Sequence, residues 1–312
     1  MKLASVFPDE YNFFPPTYIL PQDFKEFLNQ INAKRNRTFI VKPEASCQGK
    51  GIFLTRNPEN LTTEKTIYTT QSGIVEHMVV QRYMHKPYLI DGFKFDLRLY
   101  VFINGIYPLR IYIYKDGLAR FATVKYQNPM PGNLNNLCMH LTNYAINKES
   151  ENFQENTNEG DDSVGSKRSY QFVLSKVRRD YGQLKAKELK AGIDDIIVKT
   201  MCLAQPHVHH LFRSCQPDDI ENAMCFQILG FDIMIDHKIR PYLIEVNQMP
   251  SFCTDSPLDY KIKKGVINDV LAVLNLSTKR RNRTINAKKM EMQRRLLKGH
   301  QYQYKVSRKN NH

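Results

Sequence analysis

Between Tyr242 and Phe252 the chain reads YLIEVNQMPSF, an apolar run that carries an acid, Glu245, and an amide, Asn247, two residues apart. Period-two alternation in a strand puts Leu243, Glu245 and Asn247 on one face and Tyr242, Ile244 and Val246 on the other. The segments FQILGFDIMID and IRPYLIEVN are expected to pair across a turn at His237 and Lys238. A register matching Asp236 with Ile239 then brings Asp232 onto the face of Leu243, Glu245 and Asn247, so three oxygen ligands converge. A hard dication such as Mg²⁺ accepts that set and keeps its other positions for water and substrate phosphates. A solvated hairpin face would carry the same residues.

A magnesium site of one or two carboxylates usually serves a phosphate, and cations are available upstream. Lys42 ends a strand, and Lys50 sits between Gly49 and Gly51, where backbone amides approach anionic oxygens. This GKG is not a Walker motif. In KFDLR, Lys94, Asp96 and Arg98 share one strand face, with Phe95 and Leu97 opposite. Arg120 follows a KDG turn at residues 115–117, and HLTN offers His140, Thr142 and Asn143. The extended VVQRYM can present backbone hydrogen bonds to an adenine edge. Singly each has a bland structural reading; together they make an ATP and magnesium site.

The elements that must position these groups are mostly strands in the first half of the chain. RTFIVKP and residues 52–55 flank the glycine loop, and HMVVQRYM, KFDLRLYVFI and LRIYIYKDGLARFATVKY continue the Val, Ile, Phe and Tyr enrichment of an antiparallel sheet. Residues 148–168 are polar and acidic and read as a mobile surface loop. From Tyr170 to Leu211 the apolar spacing fits helices interrupted near Gly182 and Gly192. LDYKIKKGVINDVLAVLNL reads as a closing amphipathic helix.

No stretch approaches the roughly 20 apolar residues that a spanning helix needs, and membrane insertion is not expected. The six cysteines are scattered without a CxxC, so free thiols are expected. HVHH, at residues 207–210, lacks a second ligand group and reads as a polar helix end. From Ser277 onward there are twelve Lys or Arg and one acid, Glu291, so +11 of the net +14 belongs to the tail. That segment is a helix or a disordered arm.

The chain resembles the tubulin tyrosine ligase-like family, and within it the glutamylases, from about Phe7 to Leu276. The resemblance runs in order through YNFFPPTYILP, FIVKPEASCQGKGIFL, DGFKFDLRLYV, YKDGLARFATVKY, CMHLTNYAINK, GSKR, GFDIMID and YLIEVNQMPSF. It implies an α+β, ATP-grasp fold with the nucleotide held between two α+β lobes over residues 1–276, followed by a basic C-terminal extension at 277–312 that contacts microtubules. Almost nothing precedes FPDEYNFFP, so the N-terminal lobe is expected to be incomplete.

By the same resemblance Lys42 and Lys94 hold the ATP phosphates. Gln48, Gly49 and Lys50 form the loop over the nucleotide, and Gln81, Arg82, Tyr83 and Met84 form the adenine hinge. Asp96, Thr142 and Asn143 complete the nucleotide site, and Asp232, Glu245 and Asn247 hold Mg²⁺. Arg120, Tyr144, Ser166, Lys167 and Thr254, with Gln48, hold the incoming amino acid, and Gln248 lies beside the acceptor. Catalysis is assigned to Lys94, Arg98 and Arg120.

The implied reaction phosphorylates a glutamate side-chain carboxylate of a tubulin tail and lets the α-amine of L-glutamate displace the phosphate. It needs charge neutralisation and positioning, not a covalent nucleophile. Arg120 suits a bidentate grip on one carboxylate, and Lys167 neutralises a second, favouring glutamate over glycine. The tail would steer toward acidic tubulin tails. A monomer in the cytoplasm and cytoskeleton, including cilium, flagellum or basal body, is implied. A non-catalytic microtubule-binding relative, a glycylase or tyrosine ligase, and a nucleic-acid arm are the competing readings, although no nucleic acid is expected.

Overall fold

The computed structural model describes residues 2–33, 37–43, 49, 51–56, 61, 77–156, 165–217 and 225–309. They fall into two compact units, Met1–Lys264 and Gly265–His312. The elements in order are α1 (Lys2–Val6), β1 (Thr17–Leu20), α2 (Phe24–Ala33), β2 (Phe39–Pro43), β3 (Phe53–Thr55), β4 (Met78–Arg82), β5 (Leu89–Ile90), β6 (Phe93–Ile106), β7 (Leu109–Phe121), α3 (Leu137–His140), α4 (Tyr144–Lys148), β8 (Lys167–Ser169), α5 (Tyr170–Tyr181), α6 (Gln183–Cys215), β9 (Gln227–Ile235), β10 (Pro241–Asn247), α7 (Pro257–Leu274) and α8 (Thr278–Lys309).

The first unit is α+β with two antiparallel sheets, one ordered β1-β4-β2-β3 and one β10-β9-β6-β7-β8 with β5 alongside β6. The smaller sheet buries Tyr18, Phe39, Val41 and Val80 against Phe27 of α2, whose ring meets that of Phe39 edge-on. In the larger sheet Leu97, Leu99, Val101, Phe231 and Ile233 pack against Val173, Val177, Leu189, Ile193 and Ile197 of α5 and α6. Each such side chain, removed wholly from water, contributes about 1.5–3 kcal/mol. Because side chains alternate along a strand, filling one face of β6 and β9 with apolar residues leaves Lys94, Asp96, Arg98 and Asp232 on the other.

Several sequence expectations are corrected. The KDG at residues 115–117 is not a hairpin turn; β7 runs through it, and β6 turns into β7 at Tyr107 and Pro108. Leu99 pairs with Gly117 but Val101 with Ile113, so β7 carries extra residues there as a bulge. Gly117 permits it, since a Cβ would stand 2.6 Å from the Arg98 carbonyl. Gly192 does not interrupt the helix: α6 passes through it, because a Cβ at that position would crowd Pro241 at 3.1 Å, and the close approach to β10 offsets glycine's helix cost of about 1 kcal/mol. The break lies at Gly182, with φ of 90°.

The expected mobile loop is tied down at its far end. Lys167 and Arg168 open β8 and are buried, and Ser166 is bonded to Gln154 through backbone and hydroxyl; residues 157–164 lie outside the described residues. HVHH is part of α6, where His209 stacks on Tyr107. Cys138, Cys202, Cys215, Cys225 and Cys253 are free thiols. Among the described residues no helix is long and apolar enough to cross a membrane. The second unit holds α8, which exposes Met290, Met292, Leu296 and Leu297 and pairs Arg295 with Glu291 at 2.9 Å.

Candidate active site

The β9–β10 hairpin differs from a regular ladder in one place. Ile235 pairs with Pro241, Met234 with Tyr242 and Ile233 with Leu243, but the next pair is Asp232 with Glu245. Ile244 is therefore bulged, and the alternation of β10 reverses across it. Leu243 turns to the apolar core rather than joining Glu245 as the spacing implied, because its partner Ile233 is a core residue. Glu245 and Asn247 still share the face of Asp232, now by direct pairing.

From Glu245 a row of partners crosses the sheet through Asp232 and Arg98 to Leu118 and Ser169; a second row joins Asp96, Arg120 and Lys167. Residues far apart in sequence thus stand one strand spacing apart, about 5 Å. Arg98 grips Asp232 with two bonds, Nε to Oδ1 at 2.5 Å and Nη2 to Oδ2 at 2.9 Å. Arg120 grips Asp96 at 2.8 and 2.6 Å and reaches Asp232 Oδ2 at 2.8 Å. Thr142 donates its hydroxyl to Asp96 at 2.8 Å. Gly230 makes room for the fork, since a Cβ there would come within 3.1 Å of Arg98 Cδ.

Burial opposes the charge on Asp232, but Arg120 and Arg98 outweigh it and hold the carboxyl below its usual range. Glu245 behaves oppositely. Burial and then the Asp232 charge raise its pKa, with Lys42, Arg98 and Arg120 opposing. Like charges placed directly opposite across a strand pair are destabilising, so the Asp232 and Glu245 pair has the chemistry of a cation site. The Asn247 amide, turned to satisfy both neighbours, donates to Glu245 Oε1 and accepts from Arg98 Nη2, each at 3.0 Å. Two carboxylates and an amide oxygen suit a hard dication that retains water and phosphate ligands. Among the described residues no three His, Cys, Asp or Glu side chains gather as a metal cluster.

The smaller sheet brings Lys42, whose ammonium donates to Gln81 Oε1 at 3.4 Å while Gln81 donates to Thr17. Burial lowers the Lys42 pKa, and Glu245 and Asp232 act against that, so this lysine lies within electrostatic reach of the acid pair. Lys94 is 3% exposed and donates to the His140 carbonyl at 2.6 Å and to the Tyr83 hydroxyl at 3.0 Å. Burial pushes its ammonium down to about 7, against the pull of Asp96. The Tyr83 hydroxyl faces inward to Lys94 and His140, while Tyr83 and Arg82 together line a cleft of about 310 Å³ with Arg37, Arg56 and His85. Gly49 packs on Asn143, with φ of 85°, and a Cβ there would stand 2.7 Å from Ile146 and 3.2 Å from Asn143. Gln48 and Lys50 lie outside the described residues.

At the β8 end, the Lys167 ammonium sits 3.6 Å over the Tyr144 ring and is bonded to Asp259 at 2.5 Å. Ser166 is buried beside it. Thr254 and Gln248 are exposed on the segment linking β10 to α7, and the Gln248 carbonyl accepts from Gln227. Met84 is half-buried past the end of β4. Sequence reasoning missed Asp259, Lys263, Ser256 and Gly230. Asp259 was open to detection, for SPLD at residues 256–259 is a capping pattern, and Asp259 N does bond Ser256 Oγ at 3.2 Å.

A model described as "Tubulin-tyrosine ligase family" matches residues 2–284. The chain is 48% identical to "Probable beta-tubulin polyglutamylase" of Tetrahymena thermophila, over 97% of this chain and 24% of that protein. It is 43% identical to "Tubulin polyglutamylase TTLL13" of Mus musculus, over 96% of this chain and 35% of the relative. It is also 43% identical to "Tubulin polyglutamylase TTLL6" of Homo sapiens, over 89% and 29%. The chain thus spans 24% to 35% of the length of these relatives.

Proposed function

Because the chain belongs to the tubulin-tyrosine ligase family, we propose that it is an ATP-dependent polyglutamylase, joining L-glutamate to glutamate side chains of tubulin C-terminal tails, and that its two sheets belong to the lobes of an ATP-grasp fold. The observation that carries this reading is the direct pairing of Glu245 with Asp232 within electrostatic reach of Lys42. In it Asp232, Glu245 and Asn247 hold Mg²⁺, while Lys42 and Lys94 hold the phosphates. ATP supplies the phosphoryl group that converts the acceptor carboxylate into an acylphosphate, and Mg²⁺ offsets the phosphate charge.

The chain's own residues position and neutralise. Arg98 and Arg120 are locked by two aspartates, so their remaining donors point at fixed positions, and electrostatic stabilisation of developing charge needs no reorganisation. Asp96, Thr142 and Asn143 complete the nucleotide site together with Gln48, Gly49 and Lys50, and Gln81, Arg82, Tyr83 and Met84 act as the hinge. Arg120, Tyr144, Ser166, Lys167 and Thr254 hold the incoming amino acid, whose amine displaces phosphate and sheds a proton. Gln248 faces the acceptor. Residues 1–276 form the catalytic domain; the basic α8 meets acidic tubulin surfaces, at a cytoskeletal location that includes cilia.

The deciding experiment is mass spectrometry of tubulin tails after incubation with the chain, ATP and glutamate, glycine or tyrosine in turn. Mass increments of glutamate alone are expected. Addition of glycine or tyrosine in place of glutamate would overturn the reading.

A further inference from the structure

The acid that holds Lys167 also serves a second lysine. Asp259 is 1% exposed and accepts from Lys167 Nζ at 2.5 Å, while Lys263 Nζ lies 2.9 Å from its other oxygen. Ser256 donates to it at 2.9 Å, fixing the carboxylate at the start of α7. Lys263 also donates to the Cys253 carbonyl, next to Thr254. One side chain therefore ties together β8, the first turn of α7 and the linker from β10. Lys167, Lys263 and Asp259 are all nine-tenths or more buried.

Their charges do not balance, for two ammonium groups share one carboxylate. Burial works against the Asp259 charge, but Lys167 and Lys263 prevail and hold its carboxyl low, so the acid stays ionised. Asp255 also acts on Lys167 and engages the Tyr144 hydroxyl, but it is exposed, where solvent screens it. An unmatched buried cation is costly unless an anion completes it. Lys167 stands in register with Arg120, so two cationic groups at this end of the sheet are available to two carboxylates of one small molecule.

We propose that Asp259 and Lys263 are positioning residues behind Lys167: Asp259 fixes its ammonium, and Lys263 supplies the excess charge that selects an incoming amino acid with a side-chain carboxylate. This deepens the ligase reading and rests on it. It is tested by measuring KM and kcat for glutamate, and the preference for glutamate over glutamine, at saturating ATP and tubulin, together with calorimetric titration of glutamate. Lys263→Met is expected to raise the glutamate KM about tenfold or more and to shrink the preference by a similar factor, with the ATP KM within about twofold. Lys263→Arg keeps the charge and is expected to keep the preference. Asp259→Asn is expected to raise the glutamate KM more than it lowers kcat. Wild-type glutamate KM and preference in the Met variant, or equal loss in the Arg variant, would overturn the proposal. Should the Met variant not fold, the Arg and Asp259→Asn variants decide by the same comparison. A wild-type chain that transfers a different amino acid overturns the polyglutamylase reading instead.

Discussion

The middle of the larger sheet and its two flanks use the same residue types to opposite ends. In the middle, on β9, β6 and β7, Arg98 and Arg120 face Asp96 and Asp232, two cations to two anions, with every oxygen of Asp96 and Asp232 hydrogen-bonded. On β10 the balance tips to acid at Glu245; beyond β7 it tips to base at Lys167 and Lys263. A neutral, cross-braced centre is rigid, and what it offers a ligand is the fixed direction of the arginine donors that the aspartates leave over. On the proposed reading the unbalanced flanks add the affinity, one for a dication and one for carboxylates. Buried ion pairs here set geometry, and an uneven count of charges marks where a charged ligand would be held.

The contrast is most severely tested at the acid flank. Glu245→Gln is expected to cut ligation by at least the roughly 10–100-fold that loss of an outer partner of a metal site costs, while microtubule pelleting is unchanged; ADP release at saturating tubulin and glutamate measures it, and near-normal turnover would remove Glu245 from the site. In the centre the effect should fall on folding. Arg98→Met leaves Asp232 Oδ1 without its donor, with Arg120 alone on the other oxygen, and is expected to lower the unfolding free energy by about 1–3 kcal/mol, read by urea denaturation. A loss below about 1 kcal/mol would show the brace to be ornamental.

Lys94 gives a smaller, pH-dependent effect. It releases its proton at about 7 in the fold but near 10.5 when unfolded. Between those values the unfolded chain binds more protons, so stability is expected to rise with pH across that window. Lys94→Met should flatten that rise. Nucleotide binding, by placing phosphate beside the ammonium, should take up a proton near pH 7–8, visible as a buffer-dependent calorimetric heat. The weakest effect is expected on α8, where Arg295 and Glu291 are exposed: Glu291→Ala should change stability by no more than a few tenths of a kcal/mol.

What the sequence disclosed follows from which interactions are local. KFDLR announced the shared face of Lys94, Asp96 and Arg98 because strand alternation is a property of neighbours. The larger sheet's apolar face and the Tyr170 to Leu211 helices were legible for the same reason. The Arg98 and Asp232 pair spans 134 positions and depends on a register that no local pattern encodes. Both β-bulges were invisible, at KDG and at Ile244, since an inserted residue looks like any other until its partner strand is known. Gly192 misled because helix propensity was weighed without the Pro241 that packs on it.

The bulge at Ile244 decouples two demands that a regular strand would bind together. Near its turn, β10 obeys the apolar pattern of the core; past Ile244 the phase changes, and the same strand can aim Glu245 and Asn247 without moving Leu243. Deleting that one residue would leave composition and charge nearly untouched yet exchange inside for outside over the last residues of the strand. Chemistry at the strand's end is thereby free to vary without renegotiating the interior beneath it.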